Sequence, residues 1–319
     1  MAELILDANT FGSFYISAGN TGEDDHVTLT IGEGFSGTIT VDSSNNDNEI
    51  ETLSATIPNG WTLDLEGESF DTFESPNWIQ RSYSVLDENG DRVGQLLTRT
   101  NNTSPVCFAS ETLIDTPRGE IAIECLNIGD EVLNINGKPC KIRWISHRHL
   151  SRESLVQNVR LRPIKIAAGS LAKGLPKRDL VVSRQHRIMA SSTLVAQTFN
   201  TNKVLIAANK LVELPGVAEA IPKDGITFIH LLFDEHEIIH AEGVPAESLL
   251  LGEEALFSLC PLARGQLKAL VPSLFANLGR IKPACLIPSN KQQKQFCKKL
   301  ANSLYDVLEN NTIMERLVH

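Results

Sequence analysis

The sequence predicts a mainly β protein in three parts: a small acidic all-β domain over residues 1–104, a longer β module over 105–252, and a helical C-terminal extension over 253–319. Three observations carry this expectation. Short apolar runs with period-two alternation, punctuated by Gly, Asn and Asp, recur from the first residues to about 252. Charge and thiol content change abruptly at Cys107. The last sixty or so residues replace alternation with helical spacing.

In the first part, HVTLTIGEGFSGTITV (26–41) alternates Val, Leu and Ile with Thr and breaks at Gly-Glu-Gly, which predicts a hairpin. SYSVLDENGDRVGQLLT (82–98) predicts a second, with Asn-Gly as its turn. The acidic DENGD within it lacks the remainder of a calcium-binding loop, so a plain turn is the better reading. In the second part the strand-like runs are ETLIDT, EIAIECL, DEVLNI, CKIRWIS, LVQNVRL, DLVVS, HRIMA, KVLIAANKLV, ITFIHLLF and EIIHAEG. In the third, Phe296, Leu300, Leu304, Val307 and Leu308 fall at helical spacing behind a Ser289/Asn290 cap. Lys291, Lys294, Lys298 and Lys299 share that helix, which suits packing on the β module better than an acidic membrane surface.

Residues 1–106 hold three basic and eighteen acidic residues, a net −15, with no lysine and no cysteine; the remainder carries +5, against −10 overall. Two differently composed units are joined at Cys107. The acidic field argues against nucleic acid as a partner of the first unit. No run reaches the eighteen or so apolar residues of a membrane span, and the start carries Glu3 and Asp7 where a secretory signal carries positive charge. A cytoplasmic location, or export without a cleavable signal, is expected. The six cysteines form no CxxC pair, so thiols rather than a zinc ribbon or a disulfide framework are expected.

Cys107 stands at the seam, one bond from the Val106 carbonyl. A thiol is the best protein nucleophile near neutral pH, and its attack on that carbonyl exchanges an amide for a thioester. Such a shift needs a fold that holds sulfur near carbon, polarises the bond and protonates the departing nitrogen. An imidazole suits the last task, and a hydroxyl can bind the amide. DLVVSRQHRIMA supplies both in Ser183 and His186, at the end of an apolar strand. The plain alternative is a small core cysteine and a satisfied strand-end histidine.

A cysteine opening CFASETLIDTPRGEIAIECLNIGDEVL, followed some eighty residues on by a Ser-x-x-His box, resembles the Hedgehog/intein self-processing module, the Hint domain, in its bacterial form. DLVVSRQHRIM and FIHLLFDEHEIIHAEGVPAESLL resemble its middle and closing segments, so the likeness spans about 105–252. It implies a compact, pseudo-symmetric β fold and an N-to-S acyl shift at Val106–Cys107. His186 would then polarise or protonate the scissile nitrogen, Ser183 would assist by hydrogen bonding, and His236 could help. The substrate is the chain's own N-terminal segment, no cofactor or metal is implied, and the acyl acceptor, water or a small nucleophile, is open.

Departures decide which reaction follows. A splicing intein ends in His-Asn; this chain has no such pair, and Glu247 and Ser248 stand in the corresponding stretch. Hydrolysis or acyl transfer is therefore expected, without ligation of the flanks. The Hedgehog module activates its thiol with an aspartate, whereas CKIRWISHRHL offers His147 and His149, leaving Asp179 as a distant substitute. HEIIH (236–240) matches the HExxH zinc signature, but that chemistry needs a helix. The surrounding ITFIHLLFDEHEIIHAEG predicts a hairpin, in which the two imidazoles start about 13 Å apart. His230 and His240 are expected to pack or face solvent. The alternatives to self-processing are a degenerate Hint fold kept as an interaction domain and, behind it, a zinc metalloprotease.

Overall fold

The computed structural model describes residues 2–6, 11–17, 26–32, 35–42, 52–70, 78–101, 106–251, 261–272, 282–303 and 305–308, and the description concerns these alone. The chain divides into two compact units, Met1–Asn102 and Thr103–His319.

The first unit contains strands β1 (Ala2–Leu6), β2 (Phe11–Ser17), β3 (His26–Ile31), β4 (Ser36–Asp42), β5 (Thr52–Thr56), β6 (Thr62–Phe70), β7 (Trp78–Leu86) and β8 (Arg92–Asn101). They form two sheets, ordered β1-β3-β5 and β2-β4-β8-β7-β6. The expected hairpin at 87–91 joins β7 to β8 in antiparallel register, and Asp87 Oδ1 accepts from the Asn89 and Asp91 amides at 2.8 and 2.9 Å. The hairpin expected at 26–41 does not form. β3 runs parallel to β1 and β5, while β4 runs parallel to β2 and β8 in the other sheet. The physical reason is burial: Ile31 at the end of β3, Phe35 just before β4 and Ile39 within it share one core with Val85 and Leu96, a packing of two sheets rather than of one ribbon. Gly94 permits that core: a Cβ there would stand 2.7 Å from the Phe35 ring.

The second unit opens with β9 (Phe108–Ala109), β10 (Leu113–Thr116), β11 (Gly119–Ala122), β12 (Glu131–Leu133), β13 (Pro139–Lys141) and β14 (Trp144–Leu150). It continues with α1 (Arg152–Gln157), β15 (Ile164–Ile166), β16 (Leu180–Val182), β17 (Arg187–Ala190), α2 (Thr193–Phe199) and β18 (Val204–Ala207). After β19 (Val217–Glu219), β20 (Ile226–Leu232), β21 (Ile238–Ala241) and β22 (Val244–Glu247) come α3 (Pro261–Leu270) and α4 (Asn290–Ala301). Two six-stranded sheets dominate, β14-β20-β9-β16-β15-β19 and β11-β10-β21-β22-β17-β18, with β12-β13 as a separate ribbon.

Three expected strands come out differently. LVQNVRL is helical, α1 followed by a 3-10 turn at Val159–Leu161, because Ser151 accepts from the Ser154 amide and Asn158 from the Arg160 amide. These side-chain caps offer the backbone a local alternative to a ladder. IEC at 123–125 and 208–213 of KVLIAANKLV are 3-10 turns. The closing hairpin is also displaced. β20 and β21 lie in different sheets, and it is β21 and β22 that pair, through Glu242 and Gly243 with φ of 51° and 78°.

The tail is helical, with a complete capping box between Ser289 and Gln292. The helix stops at Ala301, so Val307 and Leu308 reach the core by returning across the β module rather than along a helix face. Phe296, Cys297 and Leu300 are buried in the same core as Phe108, Ile188 and Ile229. Leu304 lies outside the described residues. Phe296→Ala, made in a Cys107→Ala chain, is expected to lower the unfolding free energy by about 3–5 kcal/mol in urea titration. Lys294→Ala, on the exposed face of α4, is expected to change it by less than about 0.5 kcal/mol.

Candidate active site around Cys107

Cys107 immediately precedes β9, a strand of only two residues held between β16 and β20. Phe108 pairs with Val182 on one side and Ile229 on the other, both antiparallel. Continuing those registers by one residue sets Ser183 and His230 on either side of Cys107. The apolar alternation of ITFIHLLF makes β20 a central strand. Its start is fixed by Gly225 (φ 75°), where a Cβ would stand 2.3 Å from the Leu150 carbonyl oxygen.

On the β16 side, the Cys107 N–H donates to Ser183 Oγ at 3.0 Å, and the Ser183 N–H donates to the Cys107 carbonyl at 3.0 Å. The turn closed by the His186 amide on the Ser183 carbonyl brings His186 Nδ1 to 2.9 Å from the same Cys107 oxygen. The Phe108 ring meets the imidazole edge-on at 4.2 Å. His186 thus lies at the carbonyl of Cys107 itself, while the Cys107 nitrogen is held by Ser183.

On the β20 side, His230 Nδ1 is 2.8 Å from the Val106 carbonyl oxygen, and both its ring nitrogens are 3.5 Å from Cys107 Sγ. Trp144 stacks on this ring at a centroid distance of 6.1 Å. Leu150, Leu155, Leu161, Ile226 and Phe228 pack around Cys107 and Ala109. Cys107, Ser183, His186 and His230 are each 2% exposed or less.

That burial sets the protonation states. It pushes His186 down to about 4, against the pull of the Glu247 charge and the Cys107 carbonyl. It pushes His230 down to about 4 as well, against the Val106 carbonyl. Both rings are neutral near pH 7. Since a carbonyl oxygen can only accept, the proton of each ring sits on Nδ1, leaving Nε2 of His230 as a base beside the thiol.

The remaining expected residues make their contacts elsewhere. Buried His236 accepts from the Ala284 amide through Nδ1 at 2.9 Å, and its Nε2 stands 3.2 Å from Glu247 Oε2. His236 lies outside any helix, before β21, and His240, within β21, faces Asp115 at 3.6 Å, so the helix an HExxH zinc site requires is not formed. Among the described residues, no group of three metal-ligating side chains converges. Asp179 pairs with Lys165 at 2.7 Å, and His147 and His149 are exposed on β14. Glu247 is buried; burial opposes its ionisation, but Arg187 at 3.0 Å and His236 outweigh it and hold the carboxyl below the usual range. Ser248 Oγ accepts from the Glu237 amide.

Sequence reasoning thus left His230 without a role. The signal available was one ionisable residue inside the apolar run ITFIHLLF, which does not by itself distinguish a core histidine from a base.

A family model described as Hint domain matches residues 106–253. No functionally curated protein matches the sequence. Among solved structures, the bacterial intein-like domain from Clostridium thermocellum matches at 12% identity over 46% of this chain and 100% of its own, with a TM-score of 0.32. The gp41-1 intein matches at 14% identity over 45% and 98%, with a TM-score of 0.29. The MchDnaB-1 intein matches at 14% over 44% and 98%, with 0.28. Among the described residues no helix is long and apolar enough to cross a membrane. Residues 106–253, with Cys107 near their start, are thus the part of the chain that matches the Hint domain.

Proposed function

We propose that this Hint domain cuts its own chain at Val106–Cys107 by an N-to-S acyl shift, releasing the acidic N-terminal unit without joining the flanks. His230 Nε2 takes the thiol proton, and Sγ attacks the Val106 carbonyl carbon. The oxyanion that develops is held by His230 Nδ1–H, whose donor is in place before reaction. The carbon–nitrogen bond then breaks, and the proton held by the imidazolium passes to the departing amine. Ser183 Oγ, which accepts from the N–H of that nitrogen, holds it in orientation. Val106 is left as a thioester on Cys107. Water, or a small nucleophile, attacks it and regenerates the thiol.

The observation that supports this reading is the grip on both ends of one peptide bond, with His230 on its oxygen and Ser183 on its nitrogen, beside a neutral base 3.5 Å from sulfur. His186 contributes by clamping the Cys107 carbonyl, so the residue that attacks is fixed on its other side. Resolution without ligation follows from Glu247, an ionised carboxylate tied to Arg187, which cannot perform an asparagine cyclisation.

Purified protein incubated with dithiothreitol or hydroxylamine should give fragments 1–106 and 107–319 by intact mass, and Cys107→Ala should give neither. His230→Ala is expected to slow cleavage by about 10²–10³-fold, the cost of an oxyanion donor. Ser183→Ala is expected to cost about 10²-fold. An uncut wild type would favour a Hint fold kept as an interaction domain.

The neutral histidines have a thermodynamic signature. Each ring binds its proton at about 4 when folded and near 6.5 when unfolded, so between those values the unfolded chain holds more protons. In a Cys107→Ala chain, stability should be flat above pH of about 6.5 and fall as the pH drops toward about 4, by about 3 kcal/mol for each ring. Urea midpoints across that range check it. His230→Asn should remove about half of the slope.

A further inference from the structure

We propose that the C-terminal segment from Lys282 to Leu308 is a working part of the processing site, and that self-cleavage waits until this segment has docked. The inference rests on the acyl-shift reading above. The Hint match ends at residue 253, yet the later segment is built into the module. Leu286 bridges to Val204 and Leu308 to Ser191 in parallel, and the Val307 amide donates to the Leu171 carbonyl at 3.0 Å.

Two polar contacts, one part-buried and one buried, carry the argument, because both reach the backbone that holds His186. In the first, the Ala284 amide donates to His236 Nδ1 at 2.9 Å. A ring that accepts at Nδ1 carries its proton on Nε2, which faces Glu247 Oε2 at 3.2 Å. Glu247 Oε1 in turn accepts from the Arg187 amide at 2.8 Å, the residue next to His186. In the second, Gln293, 3% exposed, accepts from the Ala207 amide at 2.9 Å and donates to the Pro288 carbonyl at 2.7 Å. Ala207 pairs with Arg187 in the ladder, and the following Ala208 amide donates to the His186 carbonyl at 2.8 Å.

The tail therefore braces the backbone beside His186 from both strands that flank β17, from β22 through Glu247 and from β18 through Gln293. Undocked, His236 loses the donor that selects its tautomer and holds its ring against Glu247, and the Ala207 amide loses its acceptor in the protein. His236, Glu247 and Gln293 are positioning residues: they touch neither sulfur nor the scissile bond, and act through the ring that fixes the Cys107 carbonyl. Processing thus becomes conditional on residues 282–308 having been made and folded onto the module.

The test uses full-length protein and single-turnover cleavage induced by dithiothreitol. His236→Leu and Gln293→Ala are expected to slow cleavage about tenfold or more, as loss of near-attack geometry does. His236→Gln, whose amide oxygen can accept from Ala284 and whose NH₂ can donate to Glu247, is expected to stay within about threefold of wild type. Lys294→Ala should cleave at the wild-type rate. Amide exchange should quicken at Arg187 and Ala207 while β14 and β20, on the His230 side, stay protected. Wild-type rates for His236→Leu and Gln293→Ala would overturn the role of the tail and leave the acyl shift standing. Loss of protection across both sheets, or no rescue by His236→Gln, would overturn positioning in favour of a merely structural contact. An uncut wild type would overturn the acyl shift and this inference together.

Discussion

Antiparallel pairing fixes residues in opposite pairs, so the register of a two-residue strand decides what faces Cys107. With Phe108 opposite both Val182 and Ile229, the next pair outward can only be Ser183 and His230 around Cys107. A slip of one residue on either side would turn these side chains to the opposite face of the sheet. The register is itself held by burial: Phe108, Val182 and Ile229 lie in the main core, while Ala109 and Phe228 lie in the cluster around the thiol. Packing and the placement of the side chains around Cys107 are thus one constraint.

Burial has a second consequence at the same place. Water is excluded from Cys107 by Leu150, Leu155, Leu161, Ile226 and Phe228, which strengthens every polar contact inside and keeps both imidazoles neutral. A protonated His230 would hold the Val106 oxygen more strongly but would have no lone pair for the thiol. Neutrality suits the proposed first step, and the charge appears only as the thiolate forms beside it. Under that mechanism the ring and sulfur change charge together, so the apolar pocket never holds a lone ion.

The sequence made some of this legible and hid the rest for identifiable reasons. Period-two alternation found β16, β17, β20 and β21, and the chemistry of a thiol next to its own carbonyl singled out Cys107. Alternation says nothing about partners, so it predicts a hairpin where β3 and β4 each have parallel neighbours in their own sheets. LVQNVRL reads as a strand because the caps of Ser151 and Asn158 act through side-chain oxygens that an apolar pattern does not register. His230 stayed unassigned because only the pairing of β20 with β9, over a hundred residues apart, gives it a partner. His236, offered as a helper at the thiol, lies against Glu247 and the tail, a contact that depends on Ala284 beyond the matched family segment.

Glu247 connects the chemistry that is missing with the architecture that is present. Its position resembles that of the asparagine that lets an intein release its second flank, yet here the side chain is fully buried, accepts the Arg187 amide and side chain, and faces His236. An asparagine would be one methylene shorter and uncharged, and could not satisfy that set of donors. Removing one member of a buried charged group leaves the others uncompensated, which costs more than the group contributes when intact. The carboxylate that forecloses cyclisation is therefore also the group that ties β17 to β22 and, through His236, to the tail. Restoring ligation to such a module would require rebuilding this cluster as well as changing one side chain.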